Sequence, residues 1–400
     1  MEYHQIYETV VTKIRNNARR IGADIREFPA SADGKYFNRD GVPLRNLYVW
    51  TPSFFTGMAG IALRTHGGTD LLQWLYSLYA AYDEKIRVYG MDTMHDTGFL
   101  YSLYAVDLYK LTGDPNAREL GLRAADTLAK RFIPNGGYIR AWERMDDTVP
   151  DGVPKERAAQ TRRLAIIDCM MNLPLLFWAH EQTGHTFYRD VAAAHADVTL
   201  KRFIRRDASV CHAAGFHPET GAYEGEENYC GFGVGSHWAR GTAWAIYGLI
   251  LAYRYTGYER YFEAFERVAD AFIDLCGADG IPAWDFRLPP GKPALRCGGG
   301  QEGFLWDETD GANVKYNKDT SAAAIAACAF LEAEALRRSA KRAAAAKLIA
   351  ASLAGEYFDG DAEKDGILKC QNGNMSYCAF GDYYFTELLA RILYNIDPAW

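Results

Sequence analysis

Three segments of this chain end in Thr-Gly and carry a charged side chain one helix length upstream. That repeat restricts the fold more than any other feature. The endings are Leu111-Thr112-Gly113, Gln182-Thr183-Gly184 and Tyr255-Thr256-Gly257, and Asp96, Asp168 and Arg240 stand 16 or 17 residues before the three glycines. Glycine is common just past a helix C-terminus because it accepts the left-handed backbone there, so each Gly predicts the end of a helix of about 15 residues. The charged groups fall at the opposite ends. Polar residues recurring at one end of repeated helices point to one shared functional face.

The pattern extends to both sides of each Thr-Gly. Before it lies an almost continuously apolar segment, 99–111, 171–181 or 243–255. After it comes an amphipathic one. In 117–132, Leu120, Ala124, Ala125, Leu128 and Phe132 keep the spacing of one helix face, while Arg118, Glu119, Arg123, Asp126 and Lys130 fill the other. Asp114-Pro115 provides an N-cap and first-turn pair. Segments 187–203 and 261–275 repeat the design. Further apolar helices are predicted over 54–63, 321–335 and 383–393, with amphipathic partners over 6–19, 71–86 and 338–353. Six inner helices, buried all round, and six half-exposed outer ones make six hairpins. Their period of about 70 residues exceeds that of the common helical repeats. The expectation is an all-α (α/α)6 toroid, a single domain over 1–400, whose first outer helix spans about 5–20. An open solenoid is the structural alternative, but no polar capping repeats stand at its ends. The long connections 134–166 and 278–318 lead into inner helices on the face that carries Asp96, Asp168 and Arg240. Connections of that length in a compact domain are usually functional.

Composition narrows the partners. A net charge of −7 argues against nucleic acid or an acidic membrane as the main partner, yet leaves room for a small acid met by a local cation. No basic-then-apolar leader pattern and no run of roughly 18 apolar residues is present. Eight cysteines are scattered without a C-x-x-C pair, which points to free thiols in a reducing cytoplasm. The 26 Tyr and 9 Trp either fill a large aromatic core or line a cleft that stacks sugar rings; composition leaves both open.

The candidate chemistry sits where inner helices begin. Asp96 and Asp168 each fall at a helix N-terminus, where the dipole favours negative charge. Asp is also a preferred N-cap, so a purely structural role stands beside the catalytic one. Asp168 lies in the apolar run Ala165-Ile166-Ile167-Asp168-Cys169-Met170-Met171. Desolvation and a second carboxylate both raise a carboxyl pKa, which readies such a group to act as general acid and then base. Arg240 follows Trp238 and precedes Trp244; its guanidinium suits a carboxylate and the indoles suit sugar faces, the alternative being a buried Arg bonded to helix ends. Trp50 and Trp142 fall in equivalent loops before inner helices. His212, in the loop after an outer helix, is placed either to bond a sugar hydroxyl or to hold structure. Gly298-Gly299-Gly300 lacks the Gly-Lys-Ser/Thr of a phosphate loop. The run from Asp359 to Asp365 has Lys364 where a calcium loop needs Gly. The nine histidines show no zinc-ligand spacing, so no metal is expected.

These residues resemble glycoside hydrolase family 88, the unsaturated glucuronyl hydrolases. The likeness covers roughly 45–395 and rests on motifs in order. They include His95-Asp96-Thr97-Gly98-Phe99-Leu100-Tyr101, Ile166-Ile167-Asp168 with Leu173-Pro174-Leu175-Leu176, and Trp238-Ala239-Arg240-Gly241 with Trp244. Ser209-Val210-Cys211-His212, Lys318-Asp319-Thr320-Ser321-Ala322 and Gly381-Asp382-Tyr383-Tyr384 also match. The resemblance implies a cofactor-free hydrolase that removes a 4,5-unsaturated uronic acid from the non-reducing end of lyase-generated oligosaccharides, by hydrating the vinyl ether. It implies Asp168 as general acid/base and Asp96 as the supporting carboxylate. Substrate contacts would come from Trp50, His95, Trp142, His212, Trp238, Arg240, Trp244 and Tyr384. The expected assembly is a monomer or weak homodimer.

This chain departs from the family in places. Cys230 replaces a Gln common eight residues before the motif Trp, which affects one contact to the substrate carboxylate. His237 replaces a small polar residue. The Ser/Lys pattern associated with sulfated substrates is not evident in 369–377, where Lys369 and Ser376 are the available substitutes. The related rhamnogalacturonyl hydrolases usually continue the Trp-Arg motif with Asn-Gly-Trp, whereas Thr242-Ala243-Trp244 stands here. Two rivals of other classes are a sugar epimerase, which needs a pair of placed histidines, and a non-catalytic carbohydrate-binding toroid, in which both aspartates would be caps.

Overall fold

The computed structural model describes residues 2–36, 41–287, 318–371 and 376–400. The six apolar segments form the inner helices. They are Pro52–His66, a helix running through Thr97–Tyr101, π-helical Ser102–Val106 and Asp107–Thr112, then the 3-10 turn Ile167–Met171 leading to Leu173–Thr183, followed by Ala239–Thr256, Thr320–Leu336 and Ala379–Tyr394. Each packs on the next, and Ala379–Tyr394 packs back on Pro52–His66, so the ring is closed. This is the (α/α)6 toroid that the repeat predicts. The registering glycines behave as expected: Gly113, Gly184 and Gly257 cap their helices at φ 72°, 72° and 68°, each returning its N–H to a carbonyl of the last turn.

The outer helices follow from amphipathic spacing. Pro115–Ala129 buries Ala117, Leu120, Ala124, Ala125 and Leu128, and Asp114 caps it by accepting the Asn116 N–H at 2.9 Å. Tyr3–Ile21, Thr186–Arg202, Glu259–Leu275 and Ala340–Ser352 complete the set with one divided member. The segment 71–86, expected as one helix, is Thr69–Ser77 and Tyr79–Arg87 joined at Leu78. Ser77 Oγ donates to the Trp74 carbonyl at 2.6 Å, the acceptor that the Leu78 N–H would have used, and that amide turns to Leu75 instead.

Aromatic residues divide between the core and the lining of a cavity. Trp244, Trp284 and Trp400 are buried. Trp400 stacks on Tyr384 at 6.0 Å and meets Phe99 edge-on, filling the ring axis between inner helices. Trp50 and Trp142 instead line a cavity at the opposite ends of the inner helices from the capping glycines.

The connection 134–166 is not irregular. Phe132–Ile133 pairs with Tyr138–Ile139, a short helix spans Lys155–Thr161, and Leu164–Ile166 pairs antiparallel with Ala213–Phe216, which pairs with Tyr223–Glu227. Sequence periodicity missed these strands because two to five residues are too few to display alternation. Residues 288–317, with Cys297 and Gly298-Gly299-Gly300, lie outside the described residues, as do 372–375 within the segment considered for sulfate preference.

The tightest approach of one inner helix to the backbone of another, among the described residues, lies between Gly98 and Asn172, where an added Cβ would stand 2.4 Å from the Asn172 Cα. Relief there requires shifting backbone. Gly98→Ala is therefore expected to cost about 1–3 kcal/mol, read as a lowered melting temperature. Gly113→Ala, at φ 72° with no atom within 4 Å, is expected to cost about 1 kcal/mol.

Candidate active site

Asp96 stands at the N-cap of the helix beginning at Thr97, yet its carboxylate makes no capping hydrogen bond. The cap comes from the neighbouring inner helix. Asn172 Oδ1 accepts the Phe99 N–H at 2.7 Å, the amide that an N-cap side chain ordinarily takes. Asn172 Nδ2 donates to the Asp168 carbonyl at 3.2 Å. One fully buried amide thus joins the two acid-bearing turns and releases Asp96 from a structural role. Asp168 is not a cap either: it lies inside the turn Ile167–Met171, and its Oδ2 is buried without a hydrogen-bond partner among the described residues.

The short strands explain how distant loops converge. The His95 N–H donates to the Ala141 carbonyl, the Ala141 N–H to Leu164, and the Ile167 N–H to His212, each at 2.9–3.0 Å. These bonds lash the loops carrying Asp96, Trp142, Asp168 and His212 into one frame. Arg131, fully buried, donates to the carbonyls of Thr93, Arg140, Ala141, Trp142 and Glu143. Burial, with repulsion from Arg140, lowers its pKa to about 9. Glu27 accepts the N–H groups of Trp50 and Thr51 at 2.9 and 3.2 Å, fixing the Trp50 loop. Neither Arg131 nor Glu27 carried a signal that the sequence reading used.

Together these elements enclose a cavity of about 260 Å³, near the lower end of ligand pockets. Five of the expected site residues line it: Trp50, Asp96, Trp142, Asp168 and His212. Cys230, at the position of the expected Gln, lines it too. Tyr48, Met94, Glu143, Arg157, Thr161 and Ile166 were not anticipated.

The other expected contacts lie behind this wall. His95 is fully buried, with Nε2 3.5 Å from an Asp96 oxygen. Trp238 meets His212 edge-on at 5.2 Å and lies under the Arg240 guanidinium at 4.6 Å. Arg240 donates to Asp319 at 2.9 Å, and Asp319 caps the next inner helix, which is the helix-end contact of the structural alternative. Trp244 and Tyr384 belong to the axial aromatic packing. Among the described residues no cluster suited to a metal is found.

Burial sets the protonation states. It raises Asp96 well above the ordinary carboxylate range, with further push from Asp168 and then Glu27. Burial raises Asp168 to about 6, opposed by the charge of Arg240. His212 is lowered to about 3 by burial and then by Arg240, so it is neutral. Its Nδ1 accepts the Tyr229 N–H at 3.0 Å, which assigns the proton to Nε2 and makes that atom a donor. The site therefore presents two proton-retaining carboxyls, a neutral imidazole donor and two indole faces. That set suits proton transfer to a sugar ring.

The model of Glycosyl Hydrolase Family 88 matches residues 27–276. An unsaturated glucuronyl hydrolase of Bacillus sp. (strain GL1) is 33% identical over 93% of this chain and 93% of its own length. An unsaturated chondroitin disaccharide hydrolase of Streptococcus pyogenes serotype M1 is 30% identical over 93% of this chain and 86% of its own. The solved structure of the unsaturated glucuronyl hydrolase from Bacillus sp. GL1, described as responsible for the degradation of glycosaminoglycan, superposes with a TM-score of 0.81 at 30% identity, covering 99% of this chain and 98% of that one.

The raised carboxyls make a stability prediction. A folded-state pKa near 6 against an unfolded value near 3.8 means the native state retains a proton that the unfolded chain releases, which costs stability as pH rises through that window. An Asn carries no such cost. Asp168→Asn is expected to raise stability at pH 7 by on the order of 3 kcal/mol, in thermal melts, with the gain vanishing toward about pH 4.

Proposed function

The chain belongs to glycosyl hydrolase family 88, and from that premise we propose that it removes a 4,5-unsaturated uronic acid from the non-reducing end of oligosaccharides. The observation that carries the reading is a pair of buried carboxyls, neither used as a helix cap, in one aromatic-walled cavity.

The substrate's C4=C5 bond is a vinyl ether, so its electron-rich carbon is C4. Asp168, holding its proton to about pH 6, donates it to C4. The positive charge that develops is shared between C5 and the ring oxygen, on the face of the carboxylate just formed. Asp168 then takes a proton from water as the water oxygen bonds to C5. The hemiketal opens to a ketone, which leaves a hemiacetal at C1 that expels the aglycone. No bond at the anomeric carbon is attacked by a nucleophile, so the spacing rule for retaining and inverting carboxylate pairs does not govern this site. Asp96, kept neutral, donates a hydrogen bond to a ring hydroxyl, and the His212 Nε2–H provides a second donor. Trp50 and Trp142 bound the sugar faces.

An epimerase would need two histidines at the reacting carbon; His212 is the single imidazole lining the cavity among the described residues. We further place the enzyme in the cytoplasm as a monomer or weak homodimer without cofactor. The support for the cytoplasm is that Cys169, Cys211, Cys276, Cys328 and Cys378 are free thiols. Among the described residues no helix is long and apolar enough to cross a membrane.

Incubation with an unsaturated uronyl disaccharide is expected to abolish the ultraviolet absorbance of the conjugated double bond. Asp168→Asn is expected to lower that rate by at least ~1,000-fold with the fold retained; an undiminished rate would falsify the assignment. The protonated acid is the active form, so kcat/KM is expected to fall about tenfold per pH unit above pH ~6. A profile that instead rises through that range removes Asp168 from the donor role.

A further inference from the structure

Beyond the last inner helix the chain folds back against the ring. Ala379–Tyr394 ends at Asn395, whose left-handed backbone (φ 51°) turns the chain, and Pro398, Ala399 and Trp400 are buried. Two side chains hold this segment by polar contacts. Lys110, near the end of the inner helix that Asp96 begins, donates to the Ala399 carbonyl at 2.8 Å and to the Trp400 carbonyl at 3.1 Å. Glu387, which also accepts the Tyr247 hydroxyl, accepts the Trp400 indole N–H at 3.3 Å. The placement of Trp400 is therefore specified by direction as well as by apolar packing.

From Trp400 a run of rings reaches the cavity. Its indole stacks on Tyr384 and stands edge-on to Tyr383 and Phe99, both at 5.9 Å. Phe99 meets Trp50, also at 5.9 Å, and Trp50 lines the cavity with Asp96 and Asp168. Trp142, the other indole of that lining, stands outside the run: its ring neighbours among the described residues are His212 and Tyr229.

The backbone and the ring of Phe99 are fixed by different means. Asn172 holds its amide, and with it the turn that carries Asp96. Its ring is held by Trp50, Phe54, Trp244 and Trp400 alone. Removing Trp400 leaves a void into which the Phe99 ring can relax, while the acid-bearing turn stays capped. Trp50 rests on three rings, Phe54, Phe99 and Phe380, and loses the second of these supports.

Resting on the reading above, we propose that Trp400 is a positioning residue: through Phe99 it sets the orientation of the Trp50 indole against the substrate's sugar ring. The effect falls on binding and not on proton transfer, because the Asp96 and Asp168 turns are tied to Asn172 and not to the Phe99 ring.

The first arm of the test needs no ligand. The full chain is labelled with fluorotryptophan, and the fluorine resonances lost in Trp50→Phe and Trp142→Phe assign the two cavity indoles. Trp400→Ala is expected to shift the Trp50 resonance and leave that of Trp142 in place, and Trp400→Phe to bring Trp50 most of the way back. Trp400→Leu keeps apolar volume without a flat ring and decides the matter where the Ala chain does not fold, with the same shift expected at smaller size. In the second arm, Trp400→Ala or Trp400→Leu is expected to weaken binding of an unsaturated uronyl disaccharide to the Asp168→Asn chain by up to about tenfold. With Asp168 present, KM is expected to rise by a like factor and kcat to stay within about twofold. A lowered melting temperature with the Trp50 resonance and KM unchanged overturns the proposal, since Trp400 then only packs the axis. Equal shifts of Trp50 and Trp142, or a fall in kcat at constant KM, overturn it too. Failure of the proposed function is read separately, in the ultraviolet assay of the unsubstituted chain, and leaves the resonance arm to decide the role of Trp400.

Discussion

The site depends on a helix cap supplied from next door. An Asp at the start of a helix is ordinarily drawn to the free amides of the first turn, and a carboxylate so engaged is a poor proton carrier. Here Asn172 takes the Phe99 amide and simultaneously ties the Asp168 turn to the same point. That arrangement needs two inner helices at close range, which Gly98 permits by having no side chain to meet Asn172. Sequence, packing and chemistry meet at one contact: a small residue allows an approach, the approach allows a borrowed cap, and the borrowed cap leaves a carboxyl available.

Electrostatics then follows from burial rather than from added charge. Two neighbouring carboxyls removed from water favour their neutral forms, and the nearby cations are held where they do not neutralise them fully. Arg131 is surrounded by carbonyls, and Arg240 is shared with Asp319 and stacked against Trp238 and Phe380. A direct Arg–Asp168 ion pair would have stabilised the fold and lowered the carboxyl pKa, ending its use as an acid near neutrality. The more distant Arg240 instead tempers the rise, so Asp168 titrates near 6 rather than far higher. The structure carries this cost because the remaining ring is closed and densely packed.

The ring itself was legible from periodicity: all twelve expected helices are present, one of them divided at Leu78. The Thr-Gly register also located the face that carries Asp96 and Asp168. What escaped were features made of few residues or of backbone. Leu164–Ile166 fell at the end of the connection 134–166, because three apolar residues do not reveal a strand. Arg131 works through carbonyls, which leave no side-chain pattern to find. Asn172 sat inside the Asp168 motif without comment, since an amide bonding across two helices has no sequence spacing. Arg157 lies in the connection, where the repeat exerts no constraint and resemblance to relatives offered no motif. Of the other expected contacts, Arg240 came from the Thr-Gly register with Trp238 and Trp244 beside it, and His95 and Tyr384 from their motifs. The fold sets them outside the described lining of the cavity.

This placement goes with the division of aromatic residues. A toroid of inner helices converges on an axis that must be filled, and Phe99, Trp244, Tyr384 and Trp400 fill it with rings in edge-on or stacked contact. Filling the axis from the glycine-capped side leaves depth only at the other end, where Trp50 and Trp142 remain to bound a ligand. A polar residue at the start of an inner helix therefore meets one of two surroundings, the filled axis or the open end. Asp96 and Asp168 reach the open end because their turns are drawn upward by the strand pairing at Ala141, Leu164 and His212. Arg240 follows a single backbone bridge, Trp238 to Asp285, and turns to the cap of its neighbour. The same repeat position thus yields two proton-carrying carboxyls and one supporting cation, and the difference lies in what each side chain meets: the cavity for the two acids, the cap of the next inner helix for Arg240.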